Sequence, residues 1–285
     1  VTSKTLGAAL VLCGLGAAAC GGTAGASPAR DSGPVSHEVT SAAGSVRDAS
    51  LAATGTPAPA AGSTKAQPLS GKVVVIDPGH NGLNGKHPEV VNKQVNVLTK
   101  WKPCDTTGTE TPGGYSEAAF SWDVSQRMAK ILRDRGATVK LTRKNNSGVG
   151  PCITERAAIG NEAKADAVIS VHGDGSGSAN HGFHVIMPKK INGPVDPVVG
   201  ASRKLGLAVR EAYKAGTGLP YSTYIGSKAL DFRDDLGGLN LSTVPKVFIE
   251  CGNMKNPGEA AKFQDPAFRQ KVALSLANGM QNYLK

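Results

Sequence analysis

Three side chains able to ligate a metal fall at matching places in this 285-residue chain. His80 closes the run Val73-Val74-Val75-Ile76-Asp77-Pro78-Gly79-His80, Glu117 opens a long amphipathic stretch, and His172 closes Ala167-Val168-Ile169-Ser170-Val171-His172. Two imidazoles and one carboxylate are the ligand set of a catalytic zinc site, which leaves a fourth position for water. Such a set leaves Zn²⁺ with residual positive charge, enough to lower the pKa of a bound water towards ~7 and to polarise an amide carbonyl. A fourth residue, Glu250, ends the apolar strand sequence Val244–Ile249, where an unpaired carboxylate is costly to bury. It suits an acid/base that takes a proton from water and returns it to a leaving nitrogen.

Each residue also has an ordinary reading. An isolated His is more often a hydrogen-bonded surface residue than a ligand, and Glu117 suits any helix start, where the macrodipole favours an anion. His37, His87 and His181 lie in spacer, loop and turn sequence and take that ordinary reading. His184 alternates with Phe183 and Val185 and is expected to face the other side of its strand in a structural role. No GxSxG elbow, HExxH helix or phosphate-binding loop is present.

The elements that must position these residues follow from periodicity. Lys72–Asp77 is a β-branched run stopped by Pro78-Gly79, and reads as a buried strand. Phe120, Val124, Met128, Ile131 and Leu132 recur at helical spacing through Glu117–Arg135, with Gly136 as the stop. Strands are expected at Ala137–Thr142, Ala167–Val171, Gly182–Met187 and Val244–Glu250. Helices are expected at Ile153–Ala163, from about Pro197 to Lys214, and after Asp265-Pro266, where Phe268, Val272, Leu276 and Tyr283 line one face. Strands alternating with helices predict one α/β domain over 71–285, with a mostly parallel twisted sheet covered by helices on both faces. Ligands of such sheets gather at the carboxyl ends of the strands. The connection Asn81–Ser116 shows little periodicity, and its length marks a functional or flexible insertion expected to limit access to the metal.

Before residue 71 the sequence changes character. Lys4, an uncharged Ala/Gly/Leu run over 6–19 and small residues to Ala26 read as an export signal over 1–26, too short and too weakly apolar to be a transmembrane span. Ala17-Ala18-Ala19-Cys20 resembles a degenerate lipobox, so lipid anchoring at Cys20 is an alternative fate. Residues 27–70 contain no aromatic and are expected to form a disordered Ala/Pro/Ser/Gly linker. This organisation places the domain in the periplasm or cell wall. Cys104 and Cys152, each after a proline, are expected to form a disulfide, and Cys251 to be a buried free thiol.

The chain carries a net charge of +10. The first seventy residues hold four cations (Lys4, Arg30, Arg47, Lys65) and three anions (Asp31, Glu38, Asp48), leaving +9 for the rest. That excess suits a polyanionic wall environment. No basic stripe interleaves with aromatics, so nucleic acid is not the expected partner. A monomer is expected.

The ordered set Val75-Ile76-Asp77-Pro78-Gly79-His80, Ser116-Glu117, Val139–Arg143, Arg156, Ala165–His172 and Phe248-Ile249-Glu250-Cys251-Gly252 resembles the zinc-dependent N-acetylmuramoyl-L-alanine amidases of the amidase type 3 family, in their single-domain mycobacterial form. The resemblance covers Gly71–Lys285. It implies that His80, Glu117 and His172 bind Zn²⁺ and that Glu250 is the catalytic acid/base. The implied reaction is hydrolysis of the amide between N-acetylmuramic acid and L-alanine of the stem peptide, with peptidoglycan or muropeptides as partner. Arg143 and Arg156 fit the pattern as structural salt bridges. Gly173-Asp174 stands where the family usually has Ala-Asn, and Asn253 where it usually has an aromatic. A zinc carboxypeptidase of the stem peptide and a non-catalytic wall-binding protein are the alternative readings.

Overall fold

A run of β-branched residues with no polar break is stable as a strand only between two covering layers. Val73–Pro78 meets that condition as β1 in a computed structural model that describes residues 67–285. The expected signal, Cys20 and the linker up to residue 66 lie outside the described residues.

Further strands are β4 (Thr138–Leu141), β5 (Ala167–Asp174), β6 (His184–Pro188), β7 (Leu230–Arg233) and β8 (Lys246–Asn253). With β1 they form one six-stranded sheet in the order β4-β1-β5-β8-β6-β7, parallel throughout except where β6 runs antiparallel to β8. One face is covered by α2 (Glu117–Asp134), α4 (Val199–Thr217) and α7 (Pro266–Leu284), and the other by α3 (Ile153–Glu162) and the single turn α5 (Gly237–Asn240). The fold is therefore mixed α/β with a mostly parallel central sheet, as the alternation of elements predicts.

The period of two along each strand decides which side chains enter the core. Val74 and Ile76 of β1, Ile169 and Val171 of β5, and Val247, Ile249 and Cys251 of β8 all join the main cluster with Phe120, Val124, Met128 and Leu132 of α2. Val75 and Val168 point the other way, into a smaller cluster with Ile159 of α3. By the same alternation Asp77, Ser170, His172, Phe248 and Glu250 share the α3 side. Strand parity thus gathers every strand-borne polar candidate on one face.

The helix boundaries have local causes. Ser116 caps α2 by accepting from the Ala119 N–H, and Gly136, at φ 95°, ends the turn that follows. Asp265 caps α7 by accepting from the Ala267 N–H, with Pro266 at the first helical position. Val272 and Leu276 of that helix are fully buried, and Phe268 and Tyr283 pack at the edge of the core.

Several expectations are corrected. His172 does not follow its strand but lies within β5, and β8 runs on past Glu250 to Asn253, because the two strands pair onward through His172–Glu250 before the register shifts. The insertion Asn81–Ser116 is not structureless. It holds a 3₁₀ turn at Asn84–Lys86, the short helix α1 (Pro88–Val91) and a hairpin of β2 (Gln94–Asn96) and β3 (Trp101–Pro103). Elements of three or four residues are too short for a period to register. The turn-sized α5, strand β7 and α6 (Pro257–Gln264) were not expected either. Leu69, assigned to the linker, is fully buried, and its N–H donates to the Arg135 carbonyl. The ordered domain thus begins before Gly71.

Cys104 and Cys152 form the expected disulfide, with Cα atoms 4.7 Å apart, and Cys251 is a buried free thiol. No helix among the described residues is long and apolar enough to cross a membrane.

Candidate metal centre

The three proposed ligands converge: ligand atoms of His80, Glu117 and His172 all lie within 4.8 Å of one another. His80 leaves β1 in a left-handed backbone conformation, φ 57°, which is costly for a residue with a Cβ and marks a position the surroundings enforce. The enforcement comes from Arg156 of α3, whose guanidinium donates to the carbonyls of Pro78 (2.8 Å) and His80 (3.0 Å). Glu117 is fixed by its position at the start of α2. Its Oε2 accepts from the Thr109 N–H at 2.9 Å and its Oε1 from the Gly173 N–H at 3.3 Å.

Oε1 of Glu117 also faces both imidazoles, at 3.1 Å from His80 Nε2 and 2.8 Å from His172 Nδ1. The far nitrogens face away. His80 Nδ1 lies 3.0 Å from the Thr106 carbonyl and 3.2 Å from Asp105 Oδ1, both acceptors, so it carries the ring proton. His172 Nε2 lies 3.1 Å from Ser170 Oγ, whose own proton goes to Asp77 Oδ2 at 2.9 Å. With a metal bound, each ring would donate outward and present the lone pair of its other nitrogen to the ion. Two imidazole nitrogens and a carboxylate oxygen gathered within 4.8 Å of one another need positive charge there, which a ring proton supplies without a metal and the ion supplies with it. The donor set fits a divalent metal on that ground, and Zn²⁺ in particular by ligand type.

The electrostatics separate the two glutamates. Burial acts to raise the Glu117 carboxyl, but His80 and His172 outweigh it and hold the group well below the usual carboxylate range. Burial pulls the His80 imidazole down, and Glu117 and Asp105 more than reverse this, so its pKa is raised. Glu250 moves the opposite way from Glu117: burial, then repulsion from Glu117 and Asp174, push it well above the usual range. Although Glu250 is only half-buried as a residue, its Oε2 is shielded from solvent and has no hydrogen-bond partner. It lines one cavity with His80, Glu117 and His172, and Lys102, Arg233 and Asp174 stand on the same wall. The insertion contributes Lys102 and residues Thr106–Thr109 to that wall.

Sequence reasoning missed the residues behind the centre. Asp77 accepts from Thr142, Ser170, Arg156 and Lys246, a fully buried lysine at 3.1 Å. Burial would raise Asp77, but Lys246 and Arg156 hold it far below its ordinary value. The Cys-Asp adjacency at residues 104–105, beside an expected disulfide, was the one available signal for Asp105. Phe248 stacks on His172 with ring centroids 5.3 Å apart. Arg156 forms the expected salt bridges, to Asp77 (2.9 Å) and Asp105 (3.2 Å). Arg143 does not: it donates to the carbonyls of Pro78, Asn145 and Ala118, the last in the first turn of α2, and pairs with no carboxylate among the described residues.

His184 does face away from Phe183 and Val185, but that is the side of Glu250, its direct partner across β6 and β8. It is buried, and burial lowers its pKa. The two departures from the family pattern have local explanations. Asp174 accepts from the Tyr224 hydroxyl at 2.9 Å, and a Cβ on Gly173 would come 3.0 Å from Met254 Sδ. Asn253 braces the loop after β5 by donating to the Gly177 and Asn180 carbonyls and accepting from the Ser176 N–H.

Residues 74–282 match the amidase type 3 family, described as N-acetylmuramoyl-L-alanine amidase. The chain is 36% identical over 236 residues to the N-acetylmuramoyl-L-alanine amidase Rv3717 of Mycobacterium tuberculosis, covering 82% of this chain and 95% of that one. Its fold is similar to the N-acetylmuramyl-L-alanine amidase Ami1 of Mycobacterium smegmatis (TM-score 0.71, 36% identity, 76% of this chain and 98% of the other). It is similar also to Ami1 of Mycobacterium abscessus (TM-score 0.71, 40% identity, 76% and 100%). The family match across most of the domain, on a fold that brings His80, Glu117, His172 and Glu250 to one cavity, makes the chain a member of the amidase type 3 family of N-acetylmuramoyl-L-alanine amidases.

Proposed function

We propose that the protein is an exported, zinc-dependent peptidoglycan amidase that cleaves the bond between the lactyl group of N-acetylmuramic acid and L-alanine. His80 Nε2, Glu117 and His172 Nδ1 hold the metal, and Glu250 is the acid/base. The convergence of three donor atoms beside the unpartnered Oε2 of Glu250 is the observation that carries this reading. When bound, zinc supplies a Lewis acid that acidifies water and polarises the scissile carbonyl.

The chain's own residues divide the remaining work by protonation state. Two carboxylates in one site with pKa values pushed apart mark a ligand and a proton carrier. Glu117, held anionic by two imidazoles, can only ligate. Glu250, pushed towards its neutral form by burial and by repulsion from Glu117, is the carboxyl that can take up a proton from water and deliver it to the departing amide nitrogen. Without that delivery an amine anion would have to leave. Lys102 and Arg233 stand on the cavity wall, both paired with Asp235, and the surplus positive charge of that group suits an anionic stem peptide. The insertion bounds the cavity, so its length sets which substrates reach the centre. The proposed export signal and the alternative of a lipid anchor at Cys20 fit a polymer found outside the cytoplasm.

The test is to incubate the full chain with muramyl dipeptide and larger muropeptides, metal-loaded and chelator-treated. Release of the L-alanine-containing peptide only from the metal-loaded sample is expected. Release of a terminal amino acid with the muramyl amide intact would mean a carboxypeptidase. Binding without any release would mean a wall-binding protein, and either result overturns the proposal.

A further inference from the structure

Both imidazoles of the metal centre lead back to a single guanidinium. His80 Nδ1 donates towards the Cys104–Thr106 segment, where Asp105 Oδ1 lies at 3.2 Å, and Asp105 Oδ2 accepts from Arg156 Nη2 at 3.2 Å. His172 Nε2 donates to Ser170 Oγ, which donates to Asp77 Oδ2, and Asp77 Oδ1 accepts from Arg156 Nη1 at 2.9 Å. Arg156 therefore holds, with two nitrogens of one rigid fork, the carboxylates behind both metal-facing rings. All of these groups are buried or nearly so: Asp77, Arg156 and Ser170 are at most 4% exposed, and Asp105 8%.

We propose that Asp105 and Ser170 are positioning residues for His80 and His172, and that Arg156 joins them into one outer shell that sets the affinity of the metal centre. The inference rests on the reading that these residues bind a divalent metal.

The hydrogen-bond inventory supports it. Every contact to Asp105 comes from a donor: Thr106 N–H (2.7 Å) and His80 at Oδ1, Asn81 Nδ2 (3.1 Å) and Arg156 at Oδ2. The group must be a carboxylate, and an amide in its place has no orientation that satisfies all four, since its NH₂ would face a donor either way. With those outward partners in place, metal binding displaces any inner proton and leaves His80 Nε2 and His172 Nδ1 as the ligating atoms. The two rings are treated differently. His80 faces a carboxylate directly, which raises its basicity as a ligand, whereas His172 reaches Asp77 through a neutral hydroxyl. The shell is also held covalently, because Asp105 follows Cys104, whose bridge to Cys152 anchors the start of α3, one turn before Arg156.

The experiment measures zinc affinity of the full chain by competition with a chelator of known affinity. It also records the visible spectrum of the cobalt(II)-substituted protein and the melting temperature without metal, for wild type, Asp105→Asn and Ser170→Ala. Each variant is expected to bind zinc at least about 10-fold more weakly than wild type, with altered cobalt bands. A purely structural role predicts a lower metal-free melting temperature with affinity within twofold and unchanged bands, which would overturn the proposal. Ser170→Ala removes only a hydroxyl, so unchanged zinc affinity in that variant overturns it even if Asp105→Asn does not fold. Failure of the wild type to take up zinc would sink the metal reading and this inference together; uptake by the wild type with unaffected variants would sink the inference alone.

Discussion

Gly79 is where the smallest change should do the most damage to the proposed site. A Cβ built there would lie 2.3 Å from Cε1, 2.5 Å from Nδ1 and 2.7 Å from Nε2 of His172. Comfortable contact between heavy atoms begins near ~3.5 Å, so Gly79→Ala requires a displacement of about 1 Å. The backbone cannot supply it. The Gly79 N–H donates to the Val171 carbonyl at 2.9 Å, and its own carbonyl accepts from Ser121 Oγ at 2.7 Å. The His172 ring must move instead, against the stacked Phe248 and out of line with Glu117. Overpacking of this kind costs about 1–3 kcal/mol, and a 1 Å misplacement of a reacting group costs about 100-fold in rate. Gly79→Ala is therefore expected to remain folded by near-ultraviolet circular dichroism while losing zinc affinity and muropeptide turnover by about that factor. Gly200→Ala is the control, since nothing lies within 4 Å of that position in α4 and the helix should gain roughly 0.5–1 kcal/mol. Zinc affinity and turnover of Gly79→Ala within threefold of wild type would refute the reasoning.

Three more variants can be checked on the same protein. Glu250→Gln should reduce turnover by about 10²- to 10⁴-fold, measured by product release, while zinc still binds. Because the folded-state pKa of Glu250 is raised, its ionisation opposes folding: stability is highest below the unfolded value and falls as pH rises through the folded one. Glu250→Gln should thus raise the metal-free melting temperature at pH 7, and the gain should vanish near pH 4; a loss of stability at pH 7 contradicts the assignment. Asp77→Ala leaves Lys246 and Arg156 buried without their shared anion and should cost about 3–5 kcal/mol in urea titration. The depressed pKa of Asp77 means that its contribution is complete above about pH 4 and is lost only as pH falls towards the folded value. Replacing both Cys104 and Cys152 by Ser frees a 48-residue separation, and chain entropy puts the cost at about 4 kcal/mol, measurable as a lower guanidinium midpoint.

What could be read from the sequence was whatever a strand or helix end announces. His80, His172 and Glu117 stood out because apolar runs of the right period stop beside them. Glu250 stood out because an acid ends an apolar run. The outer residues gave no such sign. Asp77 and Lys246 are 169 positions apart and reveal their pairing only once β1 and β8 flank β5 in the sheet. Ser170 reads as an ordinary polar interruption until the parity of β5 places it two residues before His172 on the same face. Asp105 lies in an insertion whose elements are too short to show a period, and its role depends on a fold-back of 25 residues to His80. His184 was placed correctly relative to its neighbours on the strand, but which face carried the chemistry depended on β6 pairing antiparallel to β8, the one reversed junction in the sheet.

One divalent ion is expected where His80, Glu117 and His172 meet. Anomalous diffraction at the zinc edge from crystals of the zinc-loaded protein tests it most directly. A single strong peak about 2.0–2.2 Å from His80 Nε2, a Glu117 oxygen and His172 Nδ1 is predicted. A fully loaded protein with its peak elsewhere, or with these three side chains turned to separate regions, would contradict the account.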